Sequence, residues 1–424
     1  MNHSSVSRST RCAFRRVERK RSETIDQLTF ERLWSGCRLH RELSAILFLI
    51  LSGGCTETGD EGGSAGPARV DSSGIAVVTN ERAERPLDWR FELILDLGDA
   101  DSGPTAFFRV FPTSIGVDSA RNLYVLDGGN YRVSVFDLSG RHVRSYGRQG
   151  GGPGEFDFPM DMAVSPAGEA AVYDFGRRAL VLFDAEGSYT GSFPLPGILQ
   201  RKVGLLDDGT IVAAVTQTTA RGDSVDFRVL SFPSDTVELA SVRRLDRFPS
   251  QQSACGPLGR PPYFSPSVVW SAGGNRVALS DGVAYSVRVY EGTRLTAIWR
   301  RDLPLMPATL ELAAWEVNEG DSLREFGCVI PPEEAAATIG YADSVPIVEN
   351  IALSPTGGVW LMRRTAVPGE RRIDVLDATG AYLGTLPPGS PFPALFRGPD
   401  EIVTVETDEL DVLHVRVYRV HRGP

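Results

Sequence analysis

Leu123-Tyr124-Val125-Leu126-Asp127 and Asn130-Tyr131-Arg132-Val133-Ser134-Val135-Phe136-Asp137 are two short apolar runs joined by Gly128-Gly129. In the second, Val133 and Val135 alternate with Arg132 and Ser134, the period-two pattern of a half-buried strand, and Gly, Asn and Asp mark the turn. The whole passage returns downstream. Phe111-Pro112 recurs as Phe158-Pro159, Asp127 as Asp174, Phe136-Asp137 as Phe183-Asp184 and Gly140 as Gly187, each 47 residues on. Four equal offsets without a gap define an internal repeat.

A period of about 40–50 residues built from short strands is that of a propeller blade. In the first copy Ser114 to Val117, Leu123 to Leu126, Arg132 to Asp137 and Val143 to Tyr146 read as its four strands. Further copies are placed at Val203 to Ala240, about 264 to 303, Ile347 to Leu386 and Pro391 to Val420, which makes six blades. The fifth carries the clearest echo, Ser354-Pro355-Thr356-Gly357 repeating Ser165-Pro166-Ala167-Gly168. The fold class is therefore all-β, a six-bladed propeller of four-stranded antiparallel blades. Ile75 to Val78 and Phe91 to Leu95 precede the first full repeat, so at least one of them is expected to complete the last blade and close the ring. Residues 307–340 break the pattern: Leu310, Ala313, Ala314 and Val317 have helical spacing behind Thr309 as an N-cap, and Pro331-Pro332-Glu333 opens a second helix. This insert is expected to lie over one face.

The two runs, with Asn130-Tyr131-Arg132-Val133 following Asp127, resemble the NHL repeat, and Gly147 to Phe156 resembles the inter-blade loop of bacterial six-bladed NHL-type propellers. The likeness covers about residues 105–195. The second copy departs from it by carrying Arg177 where Asn130 stood. Gly150-Gly151-Gly152-Pro153-Gly154 has no following Lys-Ser/Thr and leads into a strand, so it is a turn of unusual backbone angles and not a phosphate loop. Propellers host binding modules and enzymes alike, so the resemblance implies a fold and leaves the activity open.

With 42% apolar and 9% aromatic residues among 424, the chain can bury a large core. Its net charge of −10 is unevenly spread: residues 1–54 hold ten Lys+Arg against five Asp+Glu, leaving 34 against 49 beyond them. So acidic a domain excludes a nucleic-acid partner. Ala45 to Leu51 is too short to span a bilayer but has the length of a signal-peptide core, and Ser52-Gly53-Gly54-Cys55 behind it resembles a bacterial lipobox with Ser52 in place of the usual Leu. That resemblance implies acylation of Cys55, anchoring to a membrane of the cell envelope, and a division into leader and signal (1–54), flexible tether (55–73) and propeller (74–424). Residues 1–37 exceed an ordinary leader, as if the start lay further downstream. Cys255 and Cys328, flanking the fourth blade, admit a disulfide in an exported protein as readily as two thiols.

Chemistry is sparsely marked. His142, His414 and His421 lie in separate places, which argues against a three-histidine zinc site. Arg221-Gly222-Asp223 spells an adhesion tripeptide but reads as a loop. Asp127 with Asn130 and Asp174 with Arg177 recur at equivalent turns, as residues that hold a turn's backbone do. Aligning the start of each innermost strand gives Ser114, Asp161, Lys202, Ser267, Asn350 and Pro393, with Thr113, Met160, Arg201, Pro266, Glu349 and Phe392 beside them. These positions ring one channel mouth. Lys202, one of only two lysines, lands a blade away from Asp161. The two form either a space-filling ion pair or, with Glu349 and Asn350, a ligand site. Calcium-dependent lactonase-type propellers hold their metal in this region with Glu, Asn and Asp; a nearby Lys202 opposes a cation, so no cofactor is expected of a binding module, and calcium belongs to the lactonase-like alternative. The leading expectation is a monomeric, membrane-anchored binding or scaffold module for a protein or small molecule. The alternative is a hydrolase or lyase at the channel mouth.

Overall fold

The structure, a computed structural model, describes residues 67–423 apart from 101, 196, 220–221, 231–235, 244–261 and 321–329. Cys55, Cys255, Cys328 and Arg221 lie outside the described residues.

Six antiparallel sheets follow one another along the chain. In the first, Ile115–Val117, Leu123–Asp127, Arg132–Phe136 and His142–Tyr146 pair in sequence order, and the second repeats this with Pro159–Val164, Ala170–Asp174, Ala179–Phe183 and Tyr189–Pro194. The third is built of longer strands, Ile198–Leu205, Ile211–Thr219, Gly222–Leu230 and Thr236–Arg243. Val269–Gly273, Arg276–Ser280, Ser286–Glu291 and Arg294–Arg301 make the fourth, and Val348–Leu353, Val359–Arg364, Arg371–Leu376 and Tyr382–Thr385 the fifth. The sixth takes only three strands from its own stretch of chain, Leu395–Gly398, Glu401–Thr407 and Leu413–His421; its fourth is Arg90–Leu97, paired antiparallel to the last strand from Val415↔Leu97 to His421↔Arg90. The expected closure is thus made by the second of the two early strands.

The first early strand has another place. Ile75–Asn80 joins the outer edge of the fourth sheet, parallel to Arg294–Arg301, and Ala68–Ser72 pairs back onto it. Residues 68–72, assigned to the tether by their polarity, therefore belong to a hairpin. Its turn is Ser73-Gly74, both with positive φ (56° and 81°), and the Gly74 amide donates to Asp71 Oδ1 at 2.9 Å. A two-residue loop of this kind matches the twist of the flanking strands.

Between the two early strands the chain crosses the seam of the fourth and fifth blades. The Arg301 guanidinium donates to the carbonyls of Glu81, Arg82 and Ala83, and Leu87 and Arg85 exchange backbone hydrogen bonds with Thr385. The core lies in six apolar seams, one between each pair of neighbouring blades; Tyr124, Val135, Phe156, Val172 and Phe183 fill the one between the first and second. Side chains alternate across each sheet, so both faces of a blade are buried against its neighbours.

The helical insert is present. α1 (Leu310–Gly320) starts where Thr309 Oγ1 accepts the Leu312 amide at 3.2 Å, and α2 (Pro332–Ile339) starts with proline in its first turn. They share a small core of Ala313, Ala314, Val317, Ala335, Ala336 and Ile339 with Phe264 and Val345. Glu316 of α1 reaches Arg364 and Arg371 of the fifth blade at 3.4 and 3.5 Å, which seats the insert on the face where the innermost strands begin.

Candidate functional site

The recurring aspartates are structural, as their repetition implies. Asp127, fully buried, accepts the amides of Phe108, Arg109, Gly129 and Asn130 within 3.0–3.2 Å, tying the turn after the second strand to the segment before the first. Asp174 does the same for Asp157 and Phe158 at 2.7 and 2.9 Å. The departure at Arg177 has a use: its guanidinium donates to the carbonyls of Gly150 and Gly152, holding the glycine-rich loop. In that loop Gly147, Gly150 and Gly154 have φ of 85°, 154° and 72°, the region that favours glycine.

Each innermost strand touches the next, and the sixth touches the first. They surround a channel of about 680 Å³ to which all six contribute, through Ile115, Met162, Lys202, Ser271, Ala352 and Leu395 among others. The chain is a six-bladed β-propeller. A family model described as a six-bladed β-propeller matches residues 116–212. Among solved structures, the propeller is similar to a Bacteroides fragilis protein thought to be exported, at 14% identity and a TM-score of 0.50, over 82% of this chain and 100% of that one. A Staphylococcus aureus virginiamycin B lyase aligns at 10% identity and a TM-score of 0.38, over 78% of this chain and 99% of that one. A luciferin-regenerating enzyme aligns at 14% and 0.38, over 78% and 95%. No curated protein matches in sequence. The described residues contain no helix long and apolar enough to cross a membrane.

The propeller separates the four residues singled out from sequence. Asp161 and Lys202 come together at the start of the innermost strands. Asp161 is 2% exposed and accepts the Thr113 hydroxyl, and Thr113 and Lys202 line the channel. Lys202 Nζ donates to the Trp270 carbonyl at 2.9 Å and lies 5.5 Å from that indole's centre. Burial pushes its pKa down to about 8, a fall that the negative charge of Asp161 limits. Glu349, by contrast, is held by Arg371 and by Arg364, 3.4 Å away, the two arginines that also carry Glu316 of α1. Asn350 is exposed, and its Oδ1 accepts the amide of Ile351 at 2.9 Å.

The expected ring is exact only in part. Asp161, Lys202 and Asn350 sit within innermost strands, Asp161 and Asn350 each at a register shift that widens the strand's start. Ser114 immediately precedes its strand and donates to the Met160 carbonyl at 2.6 Å. Ser267 and Pro393 fall two residues short, because the fourth and sixth innermost strands begin at Val269 and Leu395. That offset is why sequence reading passed over Trp270, whose carbonyl fixes the lysine.

The opposite mouth is lined differently. Asp118, Asp207 and Glu291 stand there with Arg276, which lies 3.3 Å from Glu291. Walls between are Ile115, Val117, Val164, Val203, Leu353 and Phe396. The channel therefore runs from an acidic rim past an apolar sleeve to one ammonium.

Proposed function

We infer that this chain is an exported, lipid-anchored envelope protein whose propeller binds a small molecule in its central channel. One observation carries the channel reading: Lys202 lines a channel of about 680 Å³, a volume in the range of small-molecule sites. An ammonium has three donors, and Trp270 takes one. A carboxylate or another strong acceptor would share this ammonium with Asp161, its mainly apolar body enclosed by the sleeve of Val117, Val164 and Leu353. The acidic rim disfavours polyanions and leaves a compact acid with a neutral or cationic tail as the best match. Native mass spectrometry of the full chain against a panel of small carboxylates tests this: bound species should form with the wild type and vanish with Lys202→Met, and equal binding by both would remove the channel site. The anchor is tested apart, by an alkyne analogue of palmitate that should label the chain and fail to label Cys55→Ser.

A hydrolase or lyase at the same mouth draws support from the lowered pKa of Lys202, which leaves a sizeable share of the amine neutral and nucleophilic near pH 8. Turnover of ester or lactone substrates that disappears with Lys202→Met would favour it. A calcium-dependent version would have to draw on Asp161 and Asn350, since Glu349 already serves two arginines.

A further inference from the structure

The two faces of the propeller differ in what they expose. On the face where innermost strands begin, Phe108, Phe158, Phe175, Leu305, Val367 and Leu410 project from turns and connections, Phe108 at 78% and Leu410 at 81% exposure. On the opposite face Leu138 is the one such side chain among the described turns, with Val143, Tyr189, Val237 and Leu383, 39–48% exposed, at the starts of the outer strands. The difference lies in how far they project: four tips of the first face are 54–81% exposed, and none of the other exceeds 50%.

We propose that this face lies against a lipid bilayer, an inference that rests on the anchored reading above. The direction of the chain is the second observation. Arg294–Arg301 runs toward the face that carries the insert, and Ile75–Asn80 is parallel to it, so Ala68, paired with Thr79, lies at that same face. The described chain therefore starts on the apolar face, twelve residues after Cys55, a span that can reach at most about 43 Å. A lipid on Cys55 would draw the membrane toward the side from which the described chain emerges, the face that carries the tips. The layout of the tips points the same way. They rise from the first, second, fifth and sixth blades and the approach to the insert, so no single groove contains them. A plane of lipid is the occupant that meets them together, with phenylalanine and leucine at the depth where interfacial proteins place them. Arg109, its guanidinium 4.3 Å from the Phe158 ring, would sit at phosphate level, while Glu409 and Asp411 beside Leu410 disfavour a strongly anionic surface. Contact is thus driven by apolar burial and should survive high salt.

The test reads orientation. Full-length chain carrying Phe108→Trp or Leu138→Trp is added to vesicles of phosphatidylethanolamine and phosphatidylglycerol, with and without bromine on the acyl chains. The tryptophan at 108 should lose most of its added emission to the brominated lipid, and the one at 138 none; Phe108→Ser with Phe175→Ser should cut vesicle-bound protein by about tenfold, with thermal unfolding unchanged. Quenching at both positions or at neither overturns the proposal. So does a concentration-dependent dimer, seen by sedimentation without lipid, that the double serine variant abolishes. Palmitate labelling without quenching leaves the anchor standing and sinks the membrane face; quenching without labelling does the reverse.

Discussion

Arg301 Nη1 lies 2.5 Å from Asp374 Oδ2, and both side chains are fully buried. The pair joins the outer strand of the fourth blade to the third strand of the fifth. Arg363 donates to the same carboxylate oxygen at 3.0 Å and the Thr385 hydroxyl to the other at 2.7 Å, while the Arg301 guanidinium stacks 3.9 Å above the Tyr382 ring. Because Arg301 also holds the carbonyls of residues 81–83, one carboxylate organises the seam and the strap across it.

Removing that carboxylate leaves two buried guanidinium groups short of an acceptor, with only the carbonyls of residues 81–83 for Arg301 and Glu84 for Arg363. Asp374→Ala is expected to cost about 3–5 kcal/mol, read as a lower urea midpoint. A loss below about 1 kcal/mol would mean that the pair is worth no more than a surface bridge.

The two early strands should differ sharply in what they contribute. Leu97, 5% exposed, packs with Val403, Val415 and Val417 of the sixth blade and Ile115 of the first, so Leu97→Ala should destabilise by about 2–5 kcal/mol. Val70, 61% exposed in the outer hairpin, should change stability by less than about 0.5 kcal/mol when replaced by alanine. Chemical unfolding of both variants checks whether ring closure resides in Arg90–Leu97.

Lys202 should titrate far below an ordinary lysine. Its folded pKa of about 8 lies under the usual 10.5, so the folded state holds fewer protons there between those values and gains stability from this group as pH rises through that window. Acylation of Lys202 by an amine-selective reagent, followed by mass spectrometry, should show its half-maximum near pH 8. Asp161→Asn should move that midpoint lower, because it removes the charge that favours the ammonium. A midpoint near 10 would mean that water solvates the amine fully.

Two glycines of one loop should respond oppositely to alanine. At Gly147, φ is 85° and an added Cβ would stand 2.3 Å from the Phe156 ring, so Gly147→Ala should cost about 1–3 kcal/mol. Gly151 has open space and no such φ, and Gly151→Ala should be neutral or slightly stabilising. Equal effects on thermal unfolding would contradict the loop's geometry.

The channel also separates what can be read along a chain from what cannot. Asp127, Asp174 and their turns were legible because the repeat states them twice, and a residue that serves local backbone groups must recur wherever the turn does. Thr309 was legible as a cap for the same local reason. Trp270 was not, since its role depends on the register of a blade whose turns diverge from the repeat. Glu349 was assigned to a channel site by alignment, yet it pairs with Arg364 and Arg371 of its own blade, the two arginines that also bind Glu316 of the insert. Ala68–Ser72 looked like tether because it ends a run of Gly, Ser, Asp and Glu with few apolar residues: its pairing is made by backbone, which composition does not report.

By itself, then, the sequence determined the blade: period-two alternation, turn residues and a 47-residue repeat are local properties, and each follows from the stereochemistry of a strand and its turn. Only the tertiary structure decided which early strand closes the ring, that Asp161 and Lys202 meet while Glu349 is engaged elsewhere, and that the apolar tips share a face with the start of the described chain. These are relations between residues tens to hundreds of positions apart, and they are fixed by packing, by the desolvation of paired charges and by the direction of strands in space.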